Sequence, residues 1–298
     1  MMLLPSGRRL LACLALTVTV SASQAAPSRY AYAQLHMGMI VRLVVYADRE
    51  ETAEAACEAA FARVKALDAT LSDYRANSEL GRLNAAAGGA PVAVSDDLWR
   101  VLIAADRLWR QSDGAFDASV GPVVALWRSA RRSHQLPSAE QRQEALSRVG
   151  WQHVQLDPER RTVRLALPGM KLDVGGMAKG YAGDEAVAAM RAGGCGSCLF
   201  EAGGDIVLGD PPPGRIGWAI AFQNGRRLEL SNCGVAASGD TSQYVIIGGT
   251  RYSHVVDPRT GIGLTSRVAT NVIATEGAVS DGLATAASVM GLGPGQKL

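Results

Sequence analysis

Short apolar segments closed by glycine-bearing turns are the feature that most limits what this chain can fold into. Asn224-Gly225 separates Trp218–Phe222 from Arg227–Leu230, and Gly248-Gly249 separates Tyr244–Ile247 from Tyr252–Val256. A two-residue turn of this kind needs positive φ, which Asn and Gly tolerate, and the strands it joins run antiparallel. The turn residues DPER do the same between Val154–Leu156 and Thr162–Leu167. Helical patterns lie between these hairpins rather than between single strands. The expected fold is therefore α+β, with antiparallel sheets flanked by helices, rather than a run of βαβ units.

GMIVRLVVYA (Gly38 to Ala47) alternates apolar and polar residues and reads as a strand. Asp48 is placed to cap the helical pattern after it, with Glu51 at the capping-box position and Cys57, Phe61, Val64, Leu67 and Leu71 along one face. Ser95 starts a second helix over 96–111, whereas the polar, basic stretch from Ser129 to Gln143 reads as a surface excursion. LDVGGMAKG (Leu172 to Gly180) leads into a helix that ends near Ala192. Val268–Ala274 reads as a buried strand and Ser280–Met290 as a helix.

Basic and acidic residues nearly balance, 30 against 28, and aromatics make up only 5%. A nucleic-acid surface would need a clustered positive field and stacking rings, so that class is excluded. Residues 1–26 differ from the rest: Arg8-Arg9 precede the apolar LLACLALTVTV and the small-residue SASQAA. This is the pattern of a secretory signal peptide, because about 11 apolar residues fall short of a bilayer core. The expected mature chain, 27–298, is one exported, periplasmic domain. Cleavage near Ala25 or Ala26 is favoured over a lipoprotein anchor at Cys13. Cys195-Gly-Ser-Cys198 lacks a following helix to acidify a thiol, so a disulfide or two quiet thiols is expected there rather than redox catalysis. No second ligand pair supports zinc.

LDVGGMAKG carries neither G-x-G-x-x-G nor a P-loop, yet Gly175-Gly176 would let backbone approach a ligand closely, with Lys179 at the start of the next helix. On these residues alone a plain strand-to-helix turn is the favoured reading. In SDGAFDASVG, Phe116 lies in a loop that could bind a ring or simply pack. His254 and Asp257 lie in RYSHVVDPRTG, on or just after a hairpin strand. Asp281 and Thr285 share one helical face at i, i+4. A carboxylate and a hydroxyl there suit a hard cation, and Asp281 equally suits a helix cap.

Eight segments, in order, resemble one family: HMGM at Met37, SDYRANSELGRLN at Tyr74 and Ser78, DGAFDASVGPVVALW, LDVGGMAKGYAGDEAV, EAGGDIVLGD, ASGDTSQY, RYSHVVDPRTG and SDGLATAAS. The chain resembles the FAD:protein FMN transferases, the ApbE family. The resemblance implies a tunnelling-type fold of antiparallel sheets backed by helices. It also implies Mg²⁺-dependent cleavage of FAD, with FMN passed to a threonine or serine hydroxyl of a target flavoprotein and AMP leaving. By the same resemblance Met37, Tyr74, Ala115, Phe116, Asp117, Asp173, Lys179 and His254 surround FAD. Gly176 lends a carbonyl to Mg²⁺, Asp281 and Thr285 supply side-chain ligands, and Ala284 is a further carbonyl candidate. His254 and Asp257 are the candidate general bases, and Tyr74 or Phe116 the walls for a flat ring. Acceptors are expected among subunits of membrane electron-transfer complexes, with peripheral contact to the membrane. FAD hydrolysis to FMN and AMP, or non-catalytic FAD binding, are the alternative activities. Family members usually continue beyond GLGPGQKL into a further helix and strand, so a shortened C-terminus is expected.

Overall fold

A computed structural model describes residues 26–239, 243–266 and 269–298. The expected leader, apart from its last residue, lies outside the described residues. So do 240–242 of ASGDTSQY and 267–268, the second of which heads the expected strand; that strand is described from Thr270 and is a part-exposed sheet edge rather than a buried element.

Seven helices occur among the described residues: α1 (Glu50–Leu71), α2 (Glu79–Ala85), α3 (Asp96–Gln111), α4 (Gly121–Ser133), α5 (Ala139–Leu146), α6 (Ala178–Ala192) and α7 (Gly277–Met290). Strands Ser28–His36, Met39–Ala47, Cys198–Ala202, Asp205–Leu208, Cys233–Ser238 and Thr270–Ala274 form one six-stranded sheet in that order. Every neighbouring pair in it is antiparallel. The sheet is open, with Ser28–His36 and Thr270–Ala274 at its edges. Smaller antiparallel pairs form at DPER, at Asn224-Gly225 and at Gly248-Gly249, as the turns dictate.

Side-chain alternation assigns the two faces of the sheet. From Met39–Ala47, Val41, Leu43 and Val45 turn into the main core, where they join Phe61 and Val64 of α1 and Ala182, Ala186 and Met190 of α6. Val44 turns the other way, into a smaller cluster with Trp218 and Ile220 of the Asn224-Gly225 hairpin. A third cluster joins Val123, Trp127 and Ala130 of α4 to Val245 and Val256, fixing the RYSHVVDPRTG region against that helix.

Three further local expectations change. Arg49 rather than Asp48 occupies the N-cap of α1, with no side-chain cap; Glu50 and Glu51 instead place negative charge at the positive end of the helix. The stretch 129–143 is not an excursion, because α4 runs to Ser133 and a Ser138–Gln141 capping box starts α5. Within it only Ala130 and Pro137 are buried, too few to stand out among the arginines. The strand expected over Tyr252–Val256 is split: Thr250–Ser253 pairs back on Tyr244–Ile247, whereas Val256–Asp257 pairs forward with Ile262–Gly263. Cys195 and Cys198 are buried free thiols, and burial pushes Cys198 up to about 12, so they are quiet.

Helices α6 and α7 meet almost backbone to backbone. A Cβ on Gly180 would sit 2.0 Å from the Gly277 carbonyl oxygen, a main-chain atom that cannot step aside. Gly180→Ala is expected to destabilise the fold by about 1–3 kcal/mol or more, read as a lowered Tm; an unchanged Tm would refute this close contact. Asp184 lies one turn further along α6. Its Oδ1 accepts from Gly277 N at 2.6 Å and its Oδ2 from Ala278 N at 2.9 Å. Burial raises its pKa to about 6 despite those bonds. The folded chain therefore holds this proton more tightly than the unfolded chain. That contribution to stability is complete below the unfolded value and is lost as pH rises through about 6. Relative to Asp184→Asn, the wild type should lose up to roughly 3 kcal/mol between about pH 4 and about pH 7. Chemical denaturation at both pH values measures it, and a pH-independent difference would refute it.

Candidate functional site

Two segments distant in sequence lie side by side at the entry to α6. Asp173 N donates to Ala118 O at 2.8 Å and Gly121 N to Lys171 O at 3.1 Å, which joins the AFDAS loop to LDVGG. Gly175 N then donates to Asp173 Oδ1 at 2.8 Å, a local turn that feeds the chain into the helix. Lys179 thereby falls in the first turn of α6, with its ammonium group directed at α7 and the sheet. Nζ is 3.2 Å from both oxygens of Asp281 and 3.1 Å from Asp205 Oδ2. Gly180 N donates to Asp281 Oδ2 at 3.2 Å.

This cluster is dry on its acidic side: the Asp205 and Asp281 side chains are 3% and 6% exposed, against 23% for Lys179. Burial alone would lower the pKa of Lys179, but Asp281 and Asp205 outweigh it and hold it above its usual value. Burial, reinforced by the Asp281 charge, raises that of Asp205. Asp205 Oδ1 accepts from Ala237 N at 3.3 Å, whereas Oδ2 meets Lys179 as an ion pair without hydrogen-bond geometry. Two carboxylates face one ammonium, so the cluster has the electrostatic character of a cation site.

Thr285 follows Asp281 by one turn of α7, and its Oγ1 lies 3.4 Å from the Gly176 carbonyl oxygen. Carboxylate, hydroxyl and carbonyl oxygens thus converge from two chain segments. This all-oxygen set fits a hard cation such as Mg²⁺. The Ala284 carbonyl accepts from Ser288 Oγ at 2.9 Å within α7. Among the described residues no group of three or more His, Cys, Asp or Glu side chains is gathered for a metal, so a cation here would depend on the main-chain and hydroxyl oxygens.

The flavin-side candidates separate into packed and open groups. Ala115 and Phe116 are buried, Phe116 to 3% exposure, so AFDAS is a packed turn rather than a flexible loop. The Phe116 ring edge instead guards Gly176: a Cβ there would lie 3.3 Å from Phe116 Cε2 and 3.1 Å from Thr285 Oγ1. Asp117 holds the turn itself, accepting from Ser119 N and Oγ at 2.7 and 2.6 Å and from Trp151 N at 3.2 Å. Burial raises its pKa. Tyr74, by contrast, is 76% exposed and rests on Arg128, whose guanidinium carbon is 3.9 Å from the ring centroid. Arg128 also pairs with Asp73, and with Asp173 at 3.0 Å, bracing the Tyr74 platform against the LDVGG turn. Burial, then the nearby Asp73 charge, raises the pKa of Asp173.

Met37 forms with Gly38 the two-residue turn of the first hairpin, both at positive φ. His254 Nδ1 lies 3.1 Å from the Gln243 carbonyl oxygen, with which Nδ1–H donation is consistent. Asp257 is spent differently: Oδ1 accepts from Arg259 N and Nε at 2.9 Å, and Oδ2 from Nη2 at 3.0 Å. Both of its carboxylate oxygens are thereby occupied by the same arginine. Asp205, Arg128, Asp73 and Asp184 escape the sequence reading. An acid opening the apolar DIVL strand after two glycines is the one local signal for Asp205. Nothing local marks Arg128.

The sequence pattern of the ApbE family matches residues 37–298. The FAD:protein FMN transferase of Treponema pallidum is 31% identical over 304 residues, covering 94% of this chain and 84% of that protein. The protein of the same name from Haemophilus influenzae is 33% identical over 256 residues, 80% of this chain and 74% of its own. Among solved structures, the apo flavinyl transferase ApbE of Pseudomonas stutzeri superposes with a TM-score of 0.81 at 30% identity, covering 91% of this chain and 87% of that one. The ApbE protein of Thermotoga maritima gives 0.81 at 29% identity, over 88% and 87%. With the family pattern running from the first hairpin through α7 and the fold shared along nearly its whole length, the chain belongs to the ApbE family.

Proposed function

We propose that the protein is a Mg²⁺-dependent FAD:protein FMN transferase, moving FMN from FAD to a threonine or serine hydroxyl of a target flavoprotein with release of AMP. One observation carries the reading: the buried Lys179–Asp205–Asp281 cluster beside the Gly176 carbonyl and Thr285 hydroxyl. A pyrophosphate is a concentrated anion, and phosphoryl transfer depends mainly on positioning and charge neutralisation. Mg²⁺, held by Asp281, Thr285 and the Gly176 carbonyl with Ala284 as a further carbonyl candidate, would supply Lewis-acid neutralisation of phosphoryl oxygens. Lys179 offers a fixed positive charge at the same place, and Asp281 together with Asp205 keeps that lysine protonated. Tyr74, propped by Arg128, offers an open aromatic face for the flat ring system, while Phe116 and Gly176 shape the wall near the cation. Met37, Ala115, Asp117 and Asp173 complete the FAD surround. His254 is the favoured proton acceptor for the incoming hydroxyl, because Asp257 is committed to Arg259.

We further place the activity outside the cytoplasm, after export directed by residues 1–26, on acceptor subunits of membrane electron-transfer complexes. The leader-like sequence supports this placement. Incubating the protein with FAD, Mg²⁺ and a threonine-bearing acceptor domain tests the reaction. Flavin fluorescence should stay with the acceptor on a denaturing gel, and AMP should appear in equal amount. FMN and AMP in solution beside an unlabelled acceptor would replace transfer by hydrolysis. Tight FAD binding without turnover would reduce the protein to a flavin binder.

A further inference from the structure

We infer that Asp184 holds α7 against α6 in the register that sets Asp281 and Thr285 opposite Gly176 and Lys179, and is thus a positioning residue for the cation. The inference rests on the metal-dependent reading above. The donors are split between two helices: Gly176 and Lys179 lie at the entry to α6, whereas Asp281 and Thr285 lie on α7. Their separation is set by how the helices dock.

Two observations show how that docking is held. First, Gly180, Gly277 and Gly234 bring three backbones into contact. A Cβ on Gly277 would be 2.6 Å from Gly180 O, and one on Gly234 would be 2.5 Å from Gly277 Cα. Such a contact permits closeness but carries no direction, so it cannot by itself stop one helix sliding on the other. Second, the helices exchange reciprocal carboxylate–amide bonds at i, i+4 spacing. Gly180 N of α6 donates to Asp281 of α7, while Gly277 N and Ala278 N of α7 donate to Asp184 of α6. The N-cap residue of α7, Glu276, makes no side-chain cap bond. The orphan amides that a local cap would satisfy are met from the neighbouring helix. Asp184 is cap and crosslink at once, and the α7 residue it holds, Gly277, is one helical turn from the ligand Asp281.

The test separates the two roles. The full chain, free of FAD, is titrated with Mg²⁺ while its Tm is followed, for the wild type, Asp184→Asn, Asp184→Ala, Asp184→Ala with Glu276→Ser, and Asp281→Ala. Ser at 276 can cap α7 locally without tying it to α6. The wild type should be stabilised by Mg²⁺ and Asp281→Ala should not. Asp184→Asn should need about tenfold more Mg²⁺ or higher for half the effect. The double variant should regain metal-free Tm over Asp184→Ala yet keep the weakened Mg²⁺ response. A Mg²⁺ midpoint for Asp184→Asn within about twofold of the wild type would overturn the inference alone. So would recovery of both Tm and Mg²⁺ response in the double variant. A wild-type response that survives Asp281→Ala would overturn the metal reading and this inference with it.

Discussion

Lys179→Met is expected to cost about 3–5 kcal/mol at neutral pH, because it strands two buried carboxylates that share one cation. Asp205 and Asp281 each lie within 3.2 Å of the ammonium and are nearly sealed from water. Methionine fills the aliphatic part of the space and leaves their charges facing each other. The pH dependence identifies the cause. Lys179 is one of the groups pulling the Asp205 pKa down against its burial, so removing it raises the folded value further above that of unfolded aspartate. The variant's stability is then complete below the unfolded value and is lost as pH rises through the folded one. The deficit relative to the wild type should widen as pH rises above about 7, where wild-type Asp205 gives up its proton and the variant's still holds it, measured by urea denaturation below and above that value. A deficit that does not change with pH would mean that lost packing, not stranded charge, explains it.

Asp281→Ala is expected to abolish FMN transfer, with a loss on the order of a thousandfold, because it removes the one carboxylate among the proposed cation ligands. Its structural cost should be smaller than that of Lys179→Met. The Gly180 N–H loses its acceptor, worth about 1–3 kcal/mol, but the repulsion between Asp281 and Asp205 goes with it, and Lys179 keeps Asp205 as partner. The variant should therefore fold, and in-gel flavin fluorescence on the acceptor should vanish from a soluble, intact protein. Transfer within about tenfold of the wild type would remove Asp281 from the mechanism.

Much of this was legible along the chain wherever structure is set by neighbours in sequence. Ser95 caps α3 through Leu98 N. DPER and Asn224-Gly225 turn the hairpins that their residues demand. The glycines of LDVGGMAKG do make a tight turn into a helix, with Lys179 in its first turn. Where a local rule had a rival one residue away, as at Asp48 and Arg49, the boundary moved. Where few buried apolar residues lie among charged ones, as from Ser129 to Gln143, the sequence reads as a surface excursion although the end of α4 and most of α5 form there.

The sequence by itself determined most element types, the antiparallel pairing and the residue types from which the site is made. It did so because turn geometry, capping and side-chain alternation act over a few residues. Only the tertiary structure decided which of those residues meet. Asp205 opens a sheet strand, Asp281 lies on α7 and Lys179 on α6, and no short-range rule relates their positions. The same holds for Arg128 beneath Tyr74 and for Asp184 capping a helix not its own. A charge in a sequence has no fixed environment. Burial in the docked α6–α7 pair gives Lys179, Asp205 and Asp281 theirs, and with it the electrostatics on which the proposed chemistry rests.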